Sequence, residues 1–211
     1  MTQSQSLHLR YETHGVERLG SMTLFPFTAM LKTAVKAASR RDKVTGGNYG
    51  GFGIERHFHD CVMDGNELYA HYPRFFELYM RGHHMAQHRL PGRMVNLSPW
   101  RQSAMTLKSY NKVGDQHGWH VETNGLSVIV CIDGEARLDF MNGAQPPTPY
   151  HAGDFHLLMQ PGEAYLLRGH DVWHRVPPVR RENLPRTTIV MNYYIDDDFS
   201  RPDGMDEQHY A

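Results

Sequence analysis

HGWHVETNGLSVIVCI, residues 117–132, carries two signals at once. Its second half, LSVIVCI at 126–132, is rich in β-branched Val and Ile and reads as a buried strand. It is also the longest apolar stretch of the chain, far short of the ~20 residues that span a bilayer. The first half places His120 and Glu122 two residues apart. Residues i and i+2 of a strand point to one face, so an imidazole and a carboxylate are aimed side by side.

Outward from this stretch the grammar stays β. AMTLKSY lies upstream, and ARLDF, FHLLM, AYLLR, WHRV and TTIVMNYY lie downstream. Punctuation falls between them at Gly114-Asp115, Asp133-Gly134, AQPPTP, Gly153-Asp154 and Pro161-Gly162. The spacing is that of an antiparallel sandwich or barrel, and nothing reads as βαβ. Before residue 100 the signals are helical. Phe27, Met30, Leu31, Ala34, Val35 and Ala38 fall on one helical face, and a second helix is expected from Pro73 through FFELYMRGHHMAQHR to Pro91-Gly92. GGNYGGFG, residues 46–53, has five Gly in eight positions and must be a loop or bent strand; it lacks the Lys-Ser/Thr end of a phosphate-cradling loop. The expected organisation is one domain, with residues 1–95 as a helical and loop support region and 96–211 as the β core. The stretch DDDFSRPDGMDEQ near the end is acidic enough to be solvated.

Charge narrows the function. With 22 Lys+Arg against 23 Asp+Glu the net charge is −1, which gives no global attraction to nucleic acid or anionic membranes, so a small-molecule partner is expected. The first twenty residues lack a basic-then-apolar leader, and the two Cys need not pair; a cytoplasmic protein is expected. Oligomeric state is not legible. Fifteen His against nine Phe raises the prior for a metal site, which spacing must locate. His174, in WHRV, is available as a third ligand on a later strand. His170 competes for that place, but it falls in the preceding turn. Two His and one carboxylate form the facial triad of non-haem Fe(II) sites, with coordination positions left open. Arg186 follows twelve residues after His174 and opens the strand RTTIVMNYY, with Thr188 on its face; its planar fork suits a carboxylate.

From about residue 100 to 195 the chain resembles the Fe(II)/2-oxoglutarate-dependent oxygenases. SYNKVGDQHGWHVET, PGEAYLLRGHDVWHRVPPV and PRTTIVMNYY carry the resemblance. It implies a double-stranded β-helix of jelly-roll or cupin-like type with N-terminal helices against one sheet. It implies His120, Glu122 and His174 as iron ligands, and Arg186 with Thr188 as contacts to the far carboxylate of 2-oxoglutarate. Tyr110 and Lys108 occupy inward strand positions that help hold that co-substrate. The departure is Glu122, where Asp is commoner, and it leaves the substrate branch open. The implied activity is O2-dependent hydroxylation, desaturation or cyclisation of a small metabolite, releasing succinate and CO2. Halogenation is not expected, because Glu122 fills the place a halide would take.

Two other readings stay open. GDQHGWHVE and PGEAYLLRGHDVWH also have a cupin flavour, that of an iron oxidase without 2-oxoglutarate, against which Arg186 speaks. A metabolite-binding β-barrel without catalysis is the other, against which the intact triad speaks. Several further residues have plainer accounts. His84 and His88 fit a solvated helix face. His57, His59 and Asp60 lack a downstream strand series and read as structural or substrate-contacting. Cys131 reads as a buried, inert thiol. Trp119 and Trp173 read as packing residues turned away from the ligand face, and Arg186 would be structural if it merely paired with an acid such as Glu182.

Overall fold

The computed structural model describes residues 11–38, 43–48, 55–122, 124–143, 147–148 and 151–196, with backbone alone at 43–48 and 55–62. In chain order the elements are α1 (Tyr11–His14), β1 (Val16–Ser21), a 3-10 turn (Phe25–Phe27), α2 (Thr28–Ala38), β2 (Lys43–Asn48), β3 (Glu55–Met63), α3 (Gly65–His71), α4 (Phe75–Arg89), β4 (Val95–Leu97) and α5 (Arg101–Ala104). The β core follows as β5 (Met105–Tyr110), β6 (His117–His120), β7 (Leu126–Asp133), β8 (Ala136–Met141), β9 (Phe155–Met159), β10 (Glu163–Leu167), β11 (Trp173–Val176) and β12 (Arg186–Ile195).

The strands pair antiparallel in two sheets. The larger has the order β1-β10-β7-β12-β5-β3-β2, with β4 also on β12, and the smaller has the order β6-β11-β8-β9. Strands β5 to β12 thus divide between two four-stranded halves, β10-β7-β12-β5 facing β6-β11-β8-β9, alternating except for the β8-β9 hairpin, which is the double-stranded β-helix.

Both faces of the large sheet are covered, which is why its central strands read as continuous apolar runs. On the outer face Met105, Leu107, Val128, Val130, Leu166, Ile189, Met191 and Tyr193 pack against Leu31 and Ala34 of α2 and Leu78 and Ala86 of α4. On the inner face Tyr110, Ile129, Cys131, Leu167 and Val190 meet Ala136, Leu138, Phe140, Leu157 and Val176. Each fully buried aliphatic side chain is worth roughly 1.5–3 kcal/mol, so these two layers dominate the stability. Helix α4 comes close to β12 because Gly82 has no side chain: a Cβ there would lie 2.6 Å from Tyr193 Oη. Tyr79, one turn earlier, stacks on Tyr193 at 4.8 Å and donates to Asn192 O at 2.7 Å.

The sequence expectations hold after residue 100 and need amendment before it. Helix α2 forms where the apolar stripe predicts it. Helix α4 starts at Phe75 and not at Pro73, because Tyr72 and Pro73 carbonyls take up a turn first. The segment before residue 95 supplies β1, β2 and β3 as well as helices. β1 is an edge strand held by backbone pairing to β10, so its VERLGS sequence needs no apolar alternation. Of GGNYGGFG, Gly46–Asn48 end β2 and the remainder lies outside the described residues, as does the acidic stretch after Asp196. Among the described residues no helix is long and apolar enough to cross a membrane.

Candidate metal and co-substrate site

Strands β6 and β11 pair so that His120 and His174 are register partners, and their ring centroids lie 4.2 Å apart. Glu122 stands two residues beyond the end of β6. Its Oε1 is 3.6 Å from His120 Nε2 and 3.4 Å from His174 Nε2. The donor atoms of the three residues all lie within 4.8 Å of one another, and among the described residues no other His/Cys/Asp/Glu group converges in this way.

The two rings are fixed from behind. His120 Nδ1 is 2.8 Å from Gly118 O and His174 Nδ1 is 3.0 Å from Val172 O. A carbonyl can only accept, so each Nδ1 carries a hydrogen and each Nε2 is the ring atom turned toward Glu122. Burial by itself would raise the Glu122 pKa. The imidazoles of His120 and His174, with Lys108 nearby, overcome this and hold the carboxyl well below the usual range. The set is a converging, ionised N,N,O triad. Cis ligands about 2.1 Å from one ion lie about 3 Å apart, so the 3.4–3.6 Å contacts suit a divalent metal after a small contraction.

A cationic group lies on the facing large sheet. In the β5–β12 pairing Arg186 stands opposite Tyr110 and Thr188 opposite Lys108. Arg186 is only 2% exposed. Its guanidinium lies over the Tyr110 ring at 4.7 Å, and Nη2 donates to Arg137 O at 3.3 Å. Nε and Nη1 are buried with no hydrogen-bond partner, and among the described residues no carboxylate pairs with the guanidinium. Burial accordingly lowers the Arg186 pKa, with Tyr110 opposing. The plainer account, an exposed ion pair with Glu182, fails on burial. Thr188 is buried two positions on, and Lys108 is half-buried.

The remaining candidates do not join the cluster. His170 is exposed on a 3-10 turn, Gly169–Asp171, and His84 and His88 are exposed on α4. Cys131 is buried with its thiol pushed up to about 11 by burial. Trp119 and Trp173 pack together away from the ligand face, with Arg175 over Trp119 at 4.9 Å. The backbone of His57, His59 and Asp60 lies in β3, and their side chains fall outside the described part.

Two features escaped the sequence. Simple alternation puts His117 and His120 on opposite faces. Between the pairs His174–His120 and Val176–His117, however, β6 advances three residues and β11 two. That bulge brings His117 round to stack on His120 at 3.9 Å. The second is Gly169, whose carbonyl accepts from Glu122 N at 2.8 Å. No local pattern signals either one.

No protein-family model and no curated protein matches the chain. Solved structures do share its fold. The non-haem α-ketoglutarate-dependent carbocyclase SnoK from nogalamycin biosynthesis superposes with a TM-score of 0.64 at 10% identity, over 94% of this chain and 86% of that one. AviO1 from Streptomyces viridochromogenes Tue57 gives 0.61 at 13% identity, over 92% and 94%. A prolyl hydroxylase bound to a hypoxia-inducible-factor peptide fragment, from Trichoplax adhaerens, gives 0.56 at 14% identity, over 87% and 85%. The chain therefore shares the double-stranded β-helix fold of these structures, with a His-Glu-His donor set inside it.

Proposed function

We propose that the protein is an Fe(II)/2-oxoglutarate-dependent oxygenase that hydroxylates, desaturates or cyclises a small metabolite in the cytoplasm, releasing succinate and CO2. One observation carries the reading: three converging metal donors stand on and just beyond β6 and β11 of the small sheet, while the large sheet that faces it presents Lys108, which acts on Glu122, and, in the β12 strand paired with it, a buried guanidinium with two unpartnered N–H groups. A structural arginine would have its carboxylate with it. Among the described residues this one pairs with no carboxylate, and 2-oxoglutarate would bring one.

In this reading His120, Glu122 and His174 hold the iron, while Arg186, assisted by Thr188, Tyr110 and Lys108, holds the distal carboxylate. The bound iron with 2-oxoglutarate and O2 supplies a two-electron oxidation of a C–H bond, coupled to conversion of the keto acid to succinate and CO2. The chain's own part is placement. The Nδ1–H bonds fix both imidazoles before any ligand arrives, and Glu122 enters already ionised. Phe140, 6.1 Å from the His174 ring and stacked on Phe155 at 5.0 Å, makes one wall apolar and limits water. The carbocyclase and an α-ketoglutarate-dependent epimerase of the same biosynthesis, SnoN, favour a small-molecule substrate; the peptide-bound prolyl hydroxylase is the contrary precedent.

The test is an anaerobic titration of the full chain with Fe(II) and 2-oxoglutarate. A weak visible charge-transfer band that needs both components is expected. Iron binding with no such band would turn the reading to a cupin-type oxidase, and no iron binding would sink it.

A further inference from the structure

The reading above leaves open what aims Glu122, which lies outside any strand. We infer that the turn 168–172 is the positioning element of the metal site and that the N-terminal segment 11–15 holds this turn in place. The inference rests on the proposal that the triad binds a metal.

Two of the three donors take their orientation from backbone carbonyls of this one turn. Gly169 O accepts from Glu122 N at 2.8 Å, and Val172 O accepts from His174 Nδ1 at 3.0 Å. The fit at Gly169 is tight. A Cβ built there would lie 2.7 Å from Glu122 Cβ and 2.8 Å from Asn124 O, so any side chain must push the Glu122 loop away. Because the second of these atoms is backbone, a rotamer change cannot relieve it. Glycine is required by proximity to a metal donor.

The turn is pinned in its turn by residues more than 150 positions earlier. Arg168 N donates to Gly15 O at 2.7 Å. The Arg168 guanidinium donates to Asp171 Oδ1 at 2.7 Å, to Glu12 O at 3.3 Å and to Tyr11 O at 3.4 Å. Gly15 has a φ of 66°, and a Cβ there would sit 2.0 Å from Val172 Cγ2. The N-terminal segment therefore lies directly against the residue whose carbonyl orients His174. Arg168 and Gly169 are positioning residues; neither touches the metal.

The experiment compares the full-length wild type with Gly169→Ala and Arg168→Gln, using Mn(II) affinity by electron paramagnetic resonance, the visible spectrum of Co(II) bound at the site, and melting of the metal-free protein. Partners behind metal ligands typically change affinity 10- to 100-fold. Gly169→Ala should weaken Mn(II) binding at least about tenfold and shift the Co(II) bands toward those of Glu122→Ala, while Arg168→Gln should weaken it about three- to tenfold. A purely structural role would lower the melting temperature and leave affinity and spectrum alone, and that result overturns the inference. Should Gly169→Ala fail to fold, full Mn(II) affinity in Arg168→Gln overturns it instead. A wild type that binds no Mn(II) or Co(II) removes the functional reading itself, and this inference with it.

Discussion

Replacing Arg186 with Met separates stability from co-substrate binding, because the structure predicts opposite signs for the two. Arg186 is 2% exposed; its guanidinium donates to Arg137 O at 3.3 Å and lies over the Tyr110 ring at 4.7 Å. Nε and Nη1 are buried without partners. Each unsatisfied buried polar group costs about 1–3 kcal/mol, more when charged, whereas the ring contact returns about 0.5–2 kcal/mol. An apolar side chain of similar length removes both the penalty and the smaller gain. Arg186→Met should therefore stabilise the ligand-free protein by roughly 1–3 kcal/mol, as replacing uncompensated buried charge commonly does. For a chain of this size each kcal/mol moves Tm by about 2–4 °C.

Co-substrate binding reverses the ranking. Losing a charge-assisted, two-pronged contact to a carboxylate should cost about 2–4 kcal/mol, or roughly 30- to 1,000-fold in 2-oxoglutarate affinity. Saturation at a hundred times Kd adds about 2.7 kcal/mol to the protein that binds, so 2-oxoglutarate with a metal should raise the Tm of the wild type by more than that of the variant. Differential scanning calorimetry with and without the two ligands reads both effects. A variant that melts below the wild type when ligand-free, with unchanged 2-oxoglutarate affinity, would falsify the assignment: Arg186 would be a structural residue, and the cupin-type reading would replace ours.

Other outcomes follow from the same geometry. His174→Ala should abolish Mn(II) binding while His170→Ala retains it; the reverse pattern in an equilibrium titration would mean that the exposed turn, and not β11, supplies the ligand. The folded-state pKa of Glu122 is depressed, so its ionised form contributes stability above the unfolded value of about 4.3 and loses that contribution as pH falls through the folded value. Metal-free wild type should accordingly lose stability relative to Glu122→Gln in urea melts taken from pH 6 to pH 3, and parallel curves would contradict the shift. Gly82→Val should destabilise by roughly 1–3 kcal/mol through overpacking against Tyr193 and Met191, and an unchanged Tm would show that α4 can retreat from β12 freely.

Legibility in the sequence followed burial. Strands β5 to β12 announce themselves because side chains must be apolar wherever the sheet is covered on both faces, and His120, Glu122, His174 and Arg186 stand at their ends or just beyond. Strands β1 and β3 stay hidden: VERLGS and ERHFHDCVM are mixed in polarity, and backbone pairing to β10 and β5 makes them strands. Glu122 was aimed correctly by a period-two argument for an incomplete reason. Strand β6 ends at His120, and the bond from Glu122 N to Gly169 O carries the chain on so that the carboxylate still turns inward. A contact between residues 47 positions apart leaves no local trace.

Which face of the large sheet carries chemistry can nevertheless be read from strands buried on both sides. Along β12 the polar residues Arg186, Thr188 and Asn192 share one parity, and Ile189, Met191 and Tyr193 the other. β5 repeats the division, with Thr106, Lys108 and Tyr110 on the inner face against Met105 and Leu107 on the outer, and so does β7, with Ser127 and Cys131 against Leu126, Val128 and Val130. Polar groups cost free energy in a packed layer unless partnered, and Asn192 is partnered by Ser127 and by Ser103 O of α5. The exception obeys the same rule. Ser109 and Thr187 point to the outer side as cross-strand neighbours and bond each other at 3.1 Å, whereas Arg186, one position away on the inner side, is left with two donors that have no partner among the described residues.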